Sequence, residues 1–274
     1  MDFVKIEHTL FSLPVIYAGT ALGSPDTVPP WHVLLLILVA ATGGRTAAFA
    51  LNRIIDRRID ARNPRTSGRE LPSGRLTLAQ ALGVLAAGTL VYAAAAWAIA
   101  PICLALAPAP LAVFIVYPYL KRFTPLAHFG VGLALALGPV AGWFAVTLAF
   151  REMQPALLLA GFTFFWVAGF DIIYATQDTA SDRREGLHSI PAALGNERAI
   201  RVSGLLHLVA FGCLAALAWS GLNRWAALPF LALTGVLLVL EHRLARNIAV
   251  AFFRINAVLG FVVLAMVLAG VLFR

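Results

Sequence analysis

The chain has 274 residues, 61% of them hydrophobic and only 12% charged, with a formal net charge of +8 at pH 7. Soluble domains carry roughly 25% charged residues, so this composition excludes an ordinary soluble fold, and no polar stretch is long enough for a separate soluble domain. The expectation is one all-α transmembrane domain over residues 1–274, a multi-pass helical bundle.

Apolar runs long enough to cross a bilayer place nine segments at about 8–22, 31–51, 78–100, 102–120, 126–149, 155–177, 200–220, 224–241 and 251–273. The first, Thr9 to Leu22, lacks the basic start and small-residue cleavage site of a signal peptide and is read as a retained helix. The second contains a charge, Arg45, and runs into Asn52-Arg53-Ile54-Ile55-Asp56-Arg57-Arg58-Ile59-Asp60. A long connection, RNPRTSGRELPSG, follows from Arg62 to Gly74. Prolines 14, 108, 110, 118 and 139 fall inside apolar runs, where neighbouring protein can re-satisfy the backbone. The sixth segment leads into a second acidic run, Asp171-Ile172-Ile173-Tyr174-Ala175-Thr176-Gln177-Asp178-Thr179-Ala180-Ser181-Asp182. Cys103 and Cys213 have neither paired spacing nor His neighbours, so neither a disulfide nor zinc is expected.

Charge orients the bundle. Connections after the even-numbered segments hold Arg53, Arg57, Arg58, Arg62, Arg65, Arg69, Arg75, Lys121, Arg122, Arg183, Arg184, Arg198, Arg201, Arg243, Arg246 and Arg254, and Lys5 joins them at the amino terminus. The opposite side carries Arg151, Arg224 and Arg274. Basic loops stay in the cytoplasm, which puts the amino terminus and both acidic runs there, in the cell (inner) membrane. The positive charge is thus explained by topology, with some attraction to anionic membrane lipid, and calls for no nucleic acid.

Five of the seven aspartates lie in the two runs. Asn52, Asp56 and Asp60 are four apart, one stripe on a helix. Asp171, Tyr174, Asp178 and Asp182 also share a face, at offsets of three, seven and eleven. Both runs end the cytoplasmic arms of even-numbered segments and are placed to face each other. Stacked carboxylates near a membrane repel unless cations neutralise them. Oxygen ligands without Cys or His suit magnesium rather than zinc or copper. Arg65, Arg69 and Lys121 add phosphate contacts, and the whole constellation reads as a diphosphate site.

These residues resemble the N-x-x-x-D-x-x-x-D motif and the second aspartate motif of the UbiA superfamily of intramembrane prenyltransferases. The surrounding KIEHTLFSLP, NPRT, LPSGRL and GLHSIPAALG are similar to its quinone-biosynthesis branch, which includes 4-hydroxybenzoate polyprenyltransferase and the enzyme of the futalosine route to menaquinone. Arg69-Glu70-Leu71 stands where Arg-Pro-Leu is expected, and Lys5-Ile6-Glu7-His8 departs from an Arg-x-Asp-Lys start; both bear on the acceptor, not the reaction. The resemblance implies a polyprenyl diphosphate held on two magnesium ions by Asn52, Asp56 and Asp60 on one side and Asp178 and Asp182 on the other. Arg65, Arg69 and Lys121 then stabilise the leaving diphosphate, and an aromatic ring attacks the allylic cation ortho to a hydroxyl. Tyr174 would face the cation, and Asp171 would orient the acceptor or take a proton. Arg45, near the stripe of Asn52, would bind the diphosphate or the carboxylate of a small aromatic acid.

Other acceptors of the same superfamily (dihydroxynaphthoate, haem, a chlorophyllide or a glycerol phosphate) stay open at this stage. A secondary transporter also carries intramembrane charge, but near the midplane rather than at helix ends beside long basic connections. His188 is read as a turn residue, His128 and His207 as packing or interfacial residues, and the aromatic run Phe162, Phe164, Phe165 and Trp166 as core or lipid-facing.

Overall fold

The computed structural model describes residues 9–25, 27–245, 247 and 254–273, and among them there are helices and no strand. In chain order these are α1 (Thr9–Gly23), α2 (Trp31–Arg62), α3 (Leu78–Ile99), α4 (Pro101–Leu106), α5 (Pro108–Leu120), α6 (Ala127–Thr147), α7 (Gln154–Ala175), α8 (Thr179–Arg184), α9 (Ile190–Leu194), α10 (Asn196–Ser220), α11 (Arg224–Arg243) and α12 (Asn256–Leu272). Seven spans among the described residues are long and apolar enough to cross a membrane: α2, α3, α4 with α5, α6, α7, α10 and α11. The first and ninth expected segments are shorter helices, α1 and α12. The protein is therefore a multi-pass membrane bundle, and by length alone seven of the nine expected segments qualify as full crossings. Lys5 to His8, Arg246, residues 251–253 and Arg274, which figure in the expectations above, lie outside the described residues.

Helix boundaries differ from expectation where the site is built. Segment two does not stop near residue 51: α2 runs unbroken for 32 residues to Arg62, about 48 Å at 1.5 Å per residue, so it outreaches the ~30 Å hydrocarbon core. Asp56 and Asp60 ride on this extension. Segment six behaves in the opposite way. A single face over Asp171 to Asp182 is not what forms, because α7 ends at Ala175 and α8 starts afresh at Thr179. Asn196 holds the break open, its Nδ2 donating to the Thr176 carbonyl (3.3 Å) and its Oδ1 accepting from Thr179 (2.6 Å). Pro108 divides segment four, since it lacks an N–H and its ring obstructs the preceding turn.

α7 is the centre of the bundle, with Leu159, Phe162, Trp166 and Val167 fully buried, and it packs on α6 and α10. α1 packs on α6 and α12, and α2 on α3. The last pair approaches closely: a Cβ on Gly43 would lie 2.6 Å from the Tyr92 nitrogen, and one on Gly88 2.9 Å from the Ala47 nitrogen. Small residues let membrane helices pack backbone to backbone, and this contact fixes the helix that carries the first aspartates. Cys103 and Cys213 are both free thiols.

A polar network ties α7, α10, α11 and α12 inside the bundle. Trp166 Nε1 donates to Asn256 Oδ1 (2.7 Å), and Asn256 Nδ2 donates to Glu241 Oε1 (3.0 Å). Glu241 is wholly buried and its Oε2 lies 3.8 Å from His207 Nδ1. His207 is therefore not simple packing. Its Nε2 faces the Trp166 carbonyl at 3.1 Å and must be the donor, leaving Nδ1 to meet His242 Nε2 at 2.9 Å.

Candidate active site

A cavity of about 210 Å³ opens at the basic end of the bundle. Asn52, Asp56, Asp60, Arg65, Arg69, Lys121, Asp171, Tyr174, Asp178 and Asp182 all line it. The two motifs, about 120 residues apart in sequence, thus share one chamber. A larger apolar groove, about 610 Å³ between α10 and α11, contains none of these carboxylates. Its lining residues Leu208, Val236 and Val239 are more than half exposed, as side chains that face lipid are.

Asp56 and Asp60 are only 3% and 5% exposed, and a buried carboxylate must find a partner. Lys121 Nζ reaches Asp56 Oδ2 at 2.6 Å, with Arg122 at 3.9 Å from Oδ1. That Oδ1 is buried and has no hydrogen bond among the described residues. Arg69 Nη1 reaches both oxygens of Asp60, at 2.8 and 2.9 Å, with Arg53 at 3.9 Å. Asn52, one turn deeper, lines the chamber together with Tyr117.

The NPRT segment links the two motifs. Asn63 caps α2, its amide bonding back to Ile59. Its side-chain carbonyl accepts from the Arg65 amide (2.9 Å), while its Nδ2 donates to Asp178 Oδ1 (2.8 Å). Arg65 lies across Asp178, with Nε donating to Oδ1 at 2.8 Å and Nη2 donating to Oδ2, and its Nη1 reaches the Tyr174 hydroxyl at 2.8 Å. Buried Thr66 donates to the Asp60 carbonyl (3.0 Å). Burial alone would raise the Asp178 carboxyl, but hydrogen bonds from Arg65 and Asn63 outweigh it and hold it below the usual range.

The GLHSIP segment does the same on the opposite wall. The His188 amide donates to the Lys121 carbonyl at 2.7 Å. Ser189 caps α9 by accepting from Ala192, and its hydroxyl donates to Asp182 Oδ2 at 2.8 Å. Burial pushes the Asp182 carboxyl up, and this neutral donor only partly offsets it. The Ile190 amide, an unpaired donor at the start of α9, meets His128 Nε2 at 3.3 Å. His128 Nδ1 lies 2.7 Å from Asp171 Oδ2.

Arg45 is the one expected site residue outside the cavity lining. It sits two turns deeper than Asn52, its Nη1 donating to Ser12 Oγ (3.1 Å) and its guanidinium 4.9 Å over the Phe49 ring. Its Nε is buried with no hydrogen bond among the described residues. Sequence reasoning missed His128, Asn63, Tyr117 and Ser189 as lining residues and treated His188 as a turn residue only. The NPRT and GLHSIP strings were the available signal, because both put capping residues beside an aspartate run.

Among the described residues, no group of three or more His, Cys, Asp or Glu side chains is arranged to hold an ion. Arg65, Arg69 and Lys121 instead occupy the carboxylates as counter-charges.

The UbiA prenyltransferase family matches residues 12–251 of the chain. The chain is similar to the 4-hydroxybenzoate octaprenyltransferase of Vibrio vulnificus, 27% identical over 250 residues, covering 87% of this chain and 80% of that protein. Its fold is similar to the apo structure of a UbiA homologue from Aeropyrum pernix K1, with a TM-score of 0.86 and 32% identity over 97% of this chain and 98% of the other. A UbiA homologue from Archaeoglobus fulgidus bound to GPP and Mg2+ shares the fold, with a TM-score of 0.71 at 19% identity over 98% of each chain.

Proposed function

Because the chain belongs to the UbiA prenyltransferase family, we propose that it transfers a polyprenyl group from a polyprenyl diphosphate to a small aromatic acid in quinone biosynthesis. The leading acceptor is 4-hydroxybenzoate, with dihydroxynaphthoate second. The observation that carries this reading is the chamber itself, where two aspartate motifs face one space ringed by Lys121, Arg65 and Arg69. The same reading makes residues 1–274 one prenyltransferase domain in the cell membrane, with the chamber open to the cytoplasm.

The donor set fits magnesium. It is all oxygen, from Asn52, Asp56, Asp60, Asp178 and Asp182, and Asp56 Oδ1 is a buried acceptor with no hydrogen bond among the described residues. Magnesium takes one or two carboxylates and completes its shell with water and phosphate oxygens, so a cage of three carboxylates is not required. The homologue solved with GPP and Mg2+ supports this choice. When bound, the metal supplies Lewis-acid neutralisation of the diphosphate as it leaves.

The chain's own residues do the rest. Lys121, Arg65 and Arg69 exchange their aspartates for phosphate oxygens and stabilise charge as it builds on the leaving group. The allylic carbon–oxygen bond breaks with its electron pair on the diphosphate. Tyr174, turned toward the chamber under Arg65, presents a ring to the cation. The cation must be kept from water, which would quench it as an alcohol, and Ile59, Pro118, Ala127 and Val131 are the apolar part of the lining that would do so. Arg45, outside the present lining but with a buried Nε that has no hydrogen bond among the described residues, is the candidate partner for the acceptor's carboxylate.

The test is purified protein in detergent with magnesium, radiolabelled geranyl diphosphate and 4-hydroxybenzoate. Prenylated acid should appear without any ion gradient, and chelation should abolish it. Diphosphate release with no alkylation of any aromatic acid would reject the acceptor class.

A further inference from the structure

We propose that His128 is a positioning residue that holds Asp171 as the base for the ring proton; the proposal rests on the aromatic-acceptor reading above. Asp171 lies one helical turn deeper than Tyr174, lines the chamber and is a quarter exposed to it. Its carboxylate differs from three of the others there and shares a neutral donor only with Asp182, which the Ser189 hydroxyl holds. Asp56, Asp60 and Asp178 each take a hydrogen bond from a cationic side chain, Lys121, Arg69 and Arg65 respectively. Asp171 takes its hydrogen bond from an imidazole that is only 4% exposed.

The protonation of that imidazole follows from the backbone. An amide N–H can only donate, so His128 Nε2 accepts from Ile190 and carries no hydrogen. The ring's one hydrogen is then on Nδ1, where it donates to Asp171 Oδ2 at 2.7 Å. The fold selects one tautomer by placing the first free amide of α9 against the ring. A neutral donor fixes the carboxylate without cancelling its charge, whereas a guanidinium would weaken it as a base. One chamber therefore holds two sorts of carboxylate. Asp56, Asp60 and Asp178 are held by exchangeable cationic side chains, and Asp171, on α7 inside the chamber, is kept free to take a proton.

The step balances. After the prenyl carbon has bonded to the ring, the alkylated ring carbon still bears its hydrogen. That C–H bond breaks, its electron pair restores the aromatic ring, and the proton passes to the Asp171 carboxylate. His128 Nδ1–H keeps its bond to Oδ2 and moves no proton.

The experiment compares 4-hydroxybenzoate with its 3,5-dideuterated form, using magnesium and geranyl diphosphate. Wild type should turn both over equally, because carbon–carbon bond formation is slower than proton loss. His128→Ala should lower kcat by about tenfold or more, leave the KM for geranyl diphosphate little changed, and expose a deuterium isotope effect. His128→Asn puts an amide N–H near the Nδ1 position and should restore most of kcat while removing the isotope effect. Asp171→Asn should stop alkylation yet still release diphosphate. Unchanged kcat in His128→Ala overturns the proposal, as does a loss with no isotope effect and no rescue by Asn, which marks a merely structural role. A wild type that releases diphosphate but leaves the acid unalkylated instead overturns the acceptor reading, and this proposal with it.

Discussion

Arg65 Nε donates to Asp178 Oδ1 at 2.8 Å while Nη1 of the same guanidinium reaches the Tyr174 hydroxyl at 2.8 Å. One side chain from the connection after α2 thus closes over the second aspartate motif at the end of α7. On the proposed reading it covers a carboxylate that would hold a metal and stands where the diphosphate would dock.

Arg65→Ala should therefore weaken the donor more than the acceptor. A charge-assisted hydrogen bond contributes about 1.5–3 kcal/mol, so the apparent KM for prenyl diphosphate should rise by ~10–100-fold. The KM for the aromatic acid should move little. Steady-state kinetics with each substrate varied in turn checks this, and an equal rise in both would deny Arg65 its place at the diphosphate.

Asp60→Asn and Asp178→Asn each preserve shape and remove a ligand charge. Half-maximal turnover should need about 10–100-fold more magnesium, and the rate at saturation should also fall. Magnesium titrations of diphosphate release give the answer. Near-normal rates for both variants at limiting magnesium would discard the two-motif metal site.

Arg45→Ala addresses the acceptor. A guanidinium grips a carboxylate through paired hydrogen bonds, so its loss should raise the acid's KM above any change in the donor's. Preference for 4-hydroxybenzoate over 4-hydroxybenzamide should shrink at the same time. If only the donor weakens, Arg45 belongs to the diphosphate.

Asn256→Leu should unsettle the bundle without touching the chamber. It strands the buried Trp166 N–H and Glu241 Oε1, which it bonds at 2.7 and 3.0 Å. Each buried group left unsatisfied costs about 1–3 kcal/mol. The thermal midpoint in detergent should drop by several degrees, while rate per folded molecule holds. Glu241→Gln keeps an acceptor for Asn256 and should stay near wild type.

A cysteine at Gly68, with Cys103 and Cys213 replaced, tests orientation. Gly68 has a negative φ and open space where a Cβ would sit. The probe should label only from the cytoplasmic face. Labelling from outside intact cells would invert the topology.

The sequence by itself determined the class of molecule. Apolar runs with few charges can only be buried in lipid as helices, since each helix satisfies its own backbone. It also determined which acidic side chains stand together, because four-residue spacing puts Asn52, Asp56 and Asp60 on one stripe whether the helix stops at 51 or 62. What spacing does not contain is where a helix ends. The break after Ala175 depends on Asn196, 20 residues on, reaching back to Thr176, and no local pattern encodes that contact. Partner choice was equally out of reach. Lys121, Arg69 and Arg65 were legible as cations beside the two acidic runs, but which aspartate each one holds is a matter of three-dimensional distance. Only the packing of α6 against α7 brought His128 to Asp171, and only the fold of GLHSIP set its tautomer. A histidine's role follows from which groups face its two nitrogens, and those groups come from α7 and α9, far from His128 in sequence.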